Sequence, residues 1–293
     1  MAQVIDGKAI AEGIRGEVKA GVERLKGEGV TPGLAAILVG EDMASKVYVR
    51  NKQKACHEVG MRSEVFALPG GTSEAALLKK VRELNDDEGF HGILVQQPLP
   101  RHISEGKVVE AVDPGKDVDC FHPYNLGRLF AGNPTFKPAT PSGVVELLLR
   151  SGNDPAGKDV VILGRSSIVG KPLAALLMGK GRGGNATVTV CHTATADIVA
   201  HARRADILVA AAGKAQFVGP SMVKEGAVVI DVGINRVPDP KAERGYRMVG
   251  DVDFEAVFPK ARAITPVPGG VGPMTIAMLL RNTLEAARGK EAF

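Results

Sequence analysis

The chain has 293 residues, 44% of them apolar and 24% charged, a composition that suits a soluble globular protein of two compact domains and excludes disorder as the dominant state. Its formal net charge of +4 comes from basic residues spread along the chain without a long run, which argues against nucleic acid and favours a small anionic partner. Cys56, Cys120 and Cys191 stand far apart and the histidines do not cluster, so structural disulfides and a protein-held metal are not expected, and a reducing compartment is.

The amino-terminal MAQVIDGKAIAEGIRGEVK mixes charges with apolar residues and carries neither the apolar core of a signal peptide nor a spanning stretch, so a cytoplasmic location is the default expectation. Apolar runs then recur between helix-period segments, the alternation of an α/β protein with a mostly parallel sheet covered by helices on both faces. The expected strands are GLAAILVG (33–40), SEVFALP (63–69), GILVQQP (92–98), DVVILG (159–164), ATVTVCH (186–192), ADILVAAAG (205–213) and AVVIDVG (227–233).

After the first of these, YVRNKQK (48–54) reads as helix and places Tyr48 and Lys52 four residues apart on one face. Most helical lysines are simply solvated. This helix, however, follows a strand whose carboxyl end faces the crevice where open α/β sheets bind ligands, and a partly desolvated amine there is suited to proton transfer. The strand GILVQQP ends in Gln96 and Gln97, and the loop DPGKDVDCFHP (113–123) adds Asp113, Asp117 and Asp119. Aspartates in such a loop commonly cap turns, and any two of the three suit that use. One buried carboxylate would instead match adjacent N–H donors, such as the amidine-like edge of a pterin, by accepting two bonds.

A Pro-, Gly- and Asn-rich segment (122–141) precedes GVVELLLRSG, which reads as a helix leading into a new strand, so a domain boundary is placed near Pro138. The expected domains are 1–138, completed by a closing helix within 273–293, and 139–272. In the second, VVILGRSSIVGKPLAALLM carries a strand, a glycine-spaced turn and a helix with Pro172 near its first turn, the spacing of a Rossmann-like dinucleotide-binding turn with serine in place of a middle glycine. A plain tight turn has the same glycines. The position between strand and helix favours phosphate, received by N–H groups at the helix start. Domains that prefer NAD place an acid at the end of the second strand, whereas here that strand ends in Cys191, His192 and Thr193. No carboxylate repels a 2′-phosphate, and Arg165 would add a charge-assisted bond of roughly 1.5 to 3 kcal/mol, on the order of 10 to 100-fold, so NADP is favoured over NAD. His192 is placed either to touch the adenosine phosphate or to serve as an ordinary strand-end residue. Further on, ITPVPGGVGPMTI (264–276) supplies three glycines that let the backbone approach a flat ring closely, or simply turn into the last helix, roughly 273–288.

These segments, SKVYVRNKQKACHEVG, GILVQQPLP, KDVDCFHPYNLGRL, PATPSGVVELL, GRSSIVGKP and TPVPGGVGPMT, resemble the bifunctional methylenetetrahydrofolate dehydrogenase and methenyltetrahydrofolate cyclohydrolase family in order and over almost the whole chain. The resemblance implies a folate-binding catalytic domain, a Rossmann-like NADP-binding domain, a cleft between them and a homodimer. It implies that Lys52 is the catalytic lysine and proton shuttle of the hydrolytic step, that Tyr48 lies near the folate ring, that Gln96 orients the lysine and that Asp119 holds the pterin. It further implies NADP contacts from Gly164, Arg165, Ser166, Ile234 and Thr275, with His192 beside them, and a folate site bordered by Pro268, Gly269 and Gly272. Three positions depart from the family pattern: Cys120 replaces a usual glycine, Gln97 a common leucine and Ala139 a frequent cysteine. None removes a catalytic group, but a β-carbon at position 120 excludes conformations open to glycine. The rival expectations are a dehydrogenase without hydrolase activity or a reductase of another small carbonyl or iminium substrate, against which Tyr48, Lys52 and Gln96 together argue, and an NADP-binding module that no longer turns over, against which the full set of polar crevice groups argues.

Overall fold

The computed structural model describes residues 2–242 and 245–289. In chain order the elements are β1 (Gln3–Val4), α1 (Gly7–Gly27), β2 (Gly33–Val39), α2 (Met43–Glu58), β3 (Arg62–Leu68), α3 (Glu74–Asp86), β4 (Gly92–Val95), α4 (Glu105–Ala111), α5 (Pro123–Phe130) and α6 (Ala139–Arg150). There follow β5 (Asp159–Leu163), α7 (Gly170–Met178), β6 (Thr187–Cys191), α8 (Ile198–Arg203), β7 (Ile207–Ala210), β8 (Val228–Asp231), β9 (Asn235–Pro238), β10 (Tyr246–Val249), α9 (Phe254–Val257), β11 (Ala263–Ile264) and α10 (Val271–Ala287). The chain forms two compact units, Glu12–Ala139 with Ile276–Phe293, and Met1–Ala11 with Thr140–Thr275. Residues 290–293 of the expected closing segment lie outside the described residues.

The unit built on 12–139 holds a three-stranded parallel sheet in the order β3-β2-β4. Every residue of β2 is buried, as a central strand covered on both faces requires, and this is why GLAAILV is an unbroken apolar run. The chain moves from β2 to β3 on one side and returns to β4 on the other, so the carboxyl ends of β2 and β4 flank a topological switch point. Leu77, Val81 and Leu84 of α3 pack on Ala35, Ile37 and Val39 of β2 and on Ile93 of β4. Within the same unit Asn282 of α10 donates to the carbonyls of Val118 and Lys137, and Arg281 pairs with Glu17 of α1.

The other unit carries a six-stranded parallel sheet in the order β1-β11-β8-β7-β5-β6, with β9 and β10 as a separate antiparallel pair. Its switch point lies between β5 and β7. The amino-terminal residues, for which the sequence offered no strand, form β1 and pair with β11, Gln3 beside Ala263 and Val4 beside Ile264. The expected strand 92–98 ends at Val95: its pairing with β2 runs only as far as Ile37, and Pro98 cannot donate to a ladder. No helix among the described residues is long and apolar enough to cross a membrane. Cys56, Cys120 and Cys191 are free and buried.

Candidate active site

Asp42 caps α2 by accepting the Ser45 N–H at 2.7 Å, which starts the helix directly after β2. The helix buries Ser45, Val49 and Cys56, and Lys52 falls between the last two on that packed side, half-buried. Lys52 Nζ donates to Gln96 Oε1 at 3.3 Å. Gln96 follows β4 and is fixed twice, its N–H donating to the Ile37 carbonyl of β2 at 2.9 Å and its Nε2 to the Gln97 carbonyl at 2.6 Å. With Nε2 so committed, the amide oxygen faces the amine. Tyr48, one turn before Lys52, is 45% exposed and presents its phenol to solvent or ligand.

Asp119 completes the group. Its loop runs beside β4, with the Ile93 N–H on the Lys116 carbonyl and a parallel bridge from Ile93 to Asp117. Desolvation raises the Asp119 pKa, the Lys52 charge acts in the opposite direction, and the Asp117 carboxylate adds to the rise. Asp117, Asp119, Gln97 and Phe121 line a small pocket with Ile93 and Val95 of β4. The other two acids of the loop have different tasks. Asp113 closes a turn on the Gly115 N–H at 2.6 Å, whereas Asp117 is 5% exposed and accepts from Phe121 N, His122 N and Asn125 Nδ2. Nearby, burial pushes the Cys56 thiol up to about 12 against the opposing effects of Ser63 and Lys52, so it is an inert packing group. Cys120 takes up φ +59°, the left-handed conformation glycine would adopt freely, and its buried Sγ donates to the Phe136 carbonyl at 3.3 Å.

The nucleotide half of the reading rests on the turn between β5 and α7. Gly164 has φ +135°, and a β-carbon there would overlap the Ala211 carbonyl at the end of β7; one at Gly170 would overlap the Gly164 carbonyl. The two glycines are therefore required by close backbone packing at the switch point, leaving Arg165, Ser166, Ser167 and Ile168 exposed as a cradle. Ser166 Oγ accepts from Val169 N at 3.1 Å and Gly170 N at 3.4 Å, its carbonyl accepts from Lys171 N, and Pro172 has no N–H. The expected donors at the helix start are thus already engaged, and an anion would meet the loop before it. At the end of β6 there is no acid, and His192 Nδ1 accepts the Ala194 N–H at 3.2 Å, which fixes the ring as a turn cap. An exposed cradle with an arginine and no competing carboxylate fits a dinucleotide bearing an extra phosphate.

Ile234 is 48% exposed beside Gly272, where an added β-carbon would lie 3.9 Å from Ile234 Cδ1. Thr275 exchanges a 2.9 Å hydroxyl contact with Thr140. Pro268 is exposed in the turn before α10, and Gly269 has φ +112°. Sequence reasoning missed the carboxylates that organise this end of the sheet. Asp231 accepts from the N–H groups of Gly233, Asp251 and Val252, and Asp251 from those of Ala212 and Gly213 and from Asn235 Nδ2. Their one signal was an acid in each of the otherwise apolar segments VVIDVG and MVGDV.

Comparison with known proteins also divides the chain in two along the sequence. Residues 5–119 match the model of the tetrahydrofolate dehydrogenase/cyclohydrolase catalytic domain, and residues 138–291 that of the NAD(P)-binding domain. The chain is 59% identical over 287 residues to a protein of Salinibacter ruber named bifunctional protein FolD, covering 98% of this chain and 96% of the relative. A protein of the same name from Moorella thermoacetica is 58% identical over 287 residues, covering 98% and 99%. Among solved structures, the bifunctional FolD methylenetetrahydrofolate dehydrogenase/cyclohydrolase of Campylobacter jejuni superposes with a TM-score of 0.93 at 47% identity, covering 99% of this chain and 100% of that one. The Trypanosoma brucei enzyme, solved with NADP cofactor and an inhibitor, gives 0.92 at 45% identity, covering 98% and 97%.

Proposed function

Because the chain belongs to the tetrahydrofolate dehydrogenase/cyclohydrolase family, we propose that Lys52, Tyr48, Gln96 and Asp119 carry out on this scaffold the chemistry that family membership brings. The protein is an NADP-dependent methylenetetrahydrofolate dehydrogenase and a methenyltetrahydrofolate cyclohydrolase. It oxidises 5,10-methylenetetrahydrofolate to the 5,10-methenyl cation and hydrolyses that cation to 10-formyltetrahydrofolate.

Bound NADP supplies the hydride acceptor. The chain's part in the first step is to hold two ligands in register, which spares the entropy of bringing them together. Asp119 accepts the paired N–H donors of the pterin, Tyr48 lies against the folate ring, and Pro268, Gly269 and Gly272 border the folate. Gly164, Arg165, Ser166, Ile234 and Thr275 contact the dinucleotide, Arg165 being the residue that selects the 2′-phosphate and His192 shaping the turn beside it. In the second step water adds to the methenyl carbon, and Lys52 moves the proton that lets the ring open. Gln96 holds the amine by its oxygen and sets its rotamer, while the Tyr48 hydroxyl adds a hydrogen bond.

The observation that supports this reading most directly is the meeting of Lys52 Nζ with Gln96 Oε1 at the β2/β4 switch point, with Asp119 close enough to feel the amine's charge. We further propose the homodimer and the cytoplasmic location expected from sequence; sedimentation of the purified protein tests the first and fractionation of the source cells the second. The functional test follows NADPH and methenyl absorbance together, starting from 5,10-methylenetetrahydrofolate with NADP, and with NAD in parallel. NADPH forming without methenyl build-up supports both roles, whereas accumulating methenyl product removes the one given to Lys52. Equal rates with NAD would overturn the Arg165 assignment.

A further inference from the structure

The loop that carries Asp119 is closed by a buried carboxylate rather than by regular pairing. Asp117 Oδ1 accepts from Phe121 N at 3.1 Å, and Oδ2 from His122 N and Asn125 Nδ2 at 2.9 Å each. Its own carbonyl accepts from Cys120 N at 3.0 Å. Asn125, fully buried on α5, also donates to the Pro114 carbonyl, so one amide ties the start of the loop to the carboxylate at its centre. Asp119 and the left-handed Cys120 lie inside this clasp, and their backbone has little freedom left.

We propose that Asp117 is a positioning residue for folate recognition, whose carboxylate both fixes the backbone that aims Asp119 and supplies a second negative charge beside it. The inference rests on the reading of Asp119 as the pterin's carboxylate. The charged and titratable groups that face Asp119 are Lys52 from α2 and Asp117 and Cys120 from its own loop, while β4 and α4 contribute Ile93, Val95 and Val109 to the pocket. Desolvation of Asp119 and the Asp117 charge both favour its protonated form, and Lys52 favours the ionised one. Removing the Asp117 charge therefore lets Asp119 stay ionised, and hold the pterin, to lower pH.

The test measures tetrahydrofolate dissociation constants, anaerobically, across about pH 4 to 8 for the intact protein, Asp117→Asn, Asn125→Ser and Asp119→Asn. NADP affinity is measured in each as a check on folding. Asp117→Asn removes the charge, whereas Asn125→Ser loosens the clasp and leaves the charge in place. The expected result is affinity for tetrahydrofolate weakened about tenfold at neutral pH in both clasp variants, with NADP affinity kept. The acid limb of binding should move to lower pH in Asp117→Asn alone and vanish in Asp119→Asn. An acid limb that stays in place in Asp117→Asn, or moves equally in Asn125→Ser, overturns the inference while leaving the Asp119 reading intact. A limb that survives Asp119→Asn overturns that reading, and the inference with it. Should Asp117→Asn fail to fold, unchanged tetrahydrofolate affinity in Asn125→Ser overturns the positioning role by itself.

Discussion

Lys52 is a half-buried amine held by an amide oxygen, and the role proposed for it depends on the proton it moves more than on the contacts it makes. Replacing it with methionine keeps the stem and removes the proton. Lys52→Met should lose about 10² to 10⁴-fold in methenyl hydrolysis, measured by methenyl absorbance, and should retain folate binding. Asp119→Asn exchanges one acceptor oxygen for a donor, so folate affinity should fall by more than NADP affinity; equal losses would indicate a folding defect. Cys120 poses a smaller question. Its φ of +59° costs about 1 kcal/mol, and its buried thiol returns a similar amount through packing and the Phe136 contact. Cys120→Gly should accordingly change unfolding free energy by less than about 1 kcal/mol in urea titrations, the two effects offsetting. The glycine-like conformation was foreseeable only as a conflict between residue type and family pattern. The residue sits within the Asp117 clasp, which joins residues that are local in sequence by bonds no periodicity reports.

The turn between β5 and α7 is the element whose sequence and structure agree most closely, because its two glycines are dictated by backbone overlap. Gly164→Ala adds a β-carbon against the Ala211 carbonyl at φ +135°, so it should weaken NADP binding at least about tenfold and leave methenyl hydrolysis largely intact. Loss of both activities would mean that the clash propagates beyond the sheet's own turn. The strands were legible wherever they run four residues or more within a parallel sheet, the edge strands β3 and β6 included. β2 and β7 are unbroken buried apolar runs, and β5 and β8 are the same apart from Asp159 at the start of one and Asp231 at the end of the other, the pattern of a parallel sheet covered on both faces. Their ends were not, since an apolar run does not say where a partner stops: β4 closes at Val95 and the expected Gln96 and Gln97 lie beyond it. β1 and β11 were invisible for a related reason. Two residues are too few for a period, and β1 becomes a strand only through β11, which itself pairs with β8.

At the scale of the molecule, electrostatics couples fold to pH through carboxylates that sequence did not single out. Burial and the neighbouring Asp251 push the Asp231 pKa up to about 6 despite three backbone N–H groups that favour the charge. A carboxyl raised in the folded state binds its proton more tightly there than in the unfolded chain. Its contribution to stability is therefore complete below the unfolded value of about 4 and is lost as pH rises through about 6. The stability difference between the protein and Asp231→Asn should fall by up to about 2 kcal/mol from pH 4 to 7 and be flat above, as read by urea denaturation. A difference that grows with pH would show that the N–H groups outweigh the burial.

What the sequence determined by itself was the set of longer parallel strands, the glycine-spaced turn, the amine and phenol on one helix face and the family to which the motifs point. All of these are local patterns, written in spacing and residue type within a few turns of chain. The tertiary structure alone decided that Asp113 closes a turn and Asp117 is buried as a clasp beside the Asp119 that the family resemblance named, and that the chain's first strand joins its eleventh. Those outcomes depend on bonds between segments brought together by the sheets, as when Gln96 meets Lys52 only because β4 lies beside β2. Spacing along the chain carries no record of such pairings until the strand order is known.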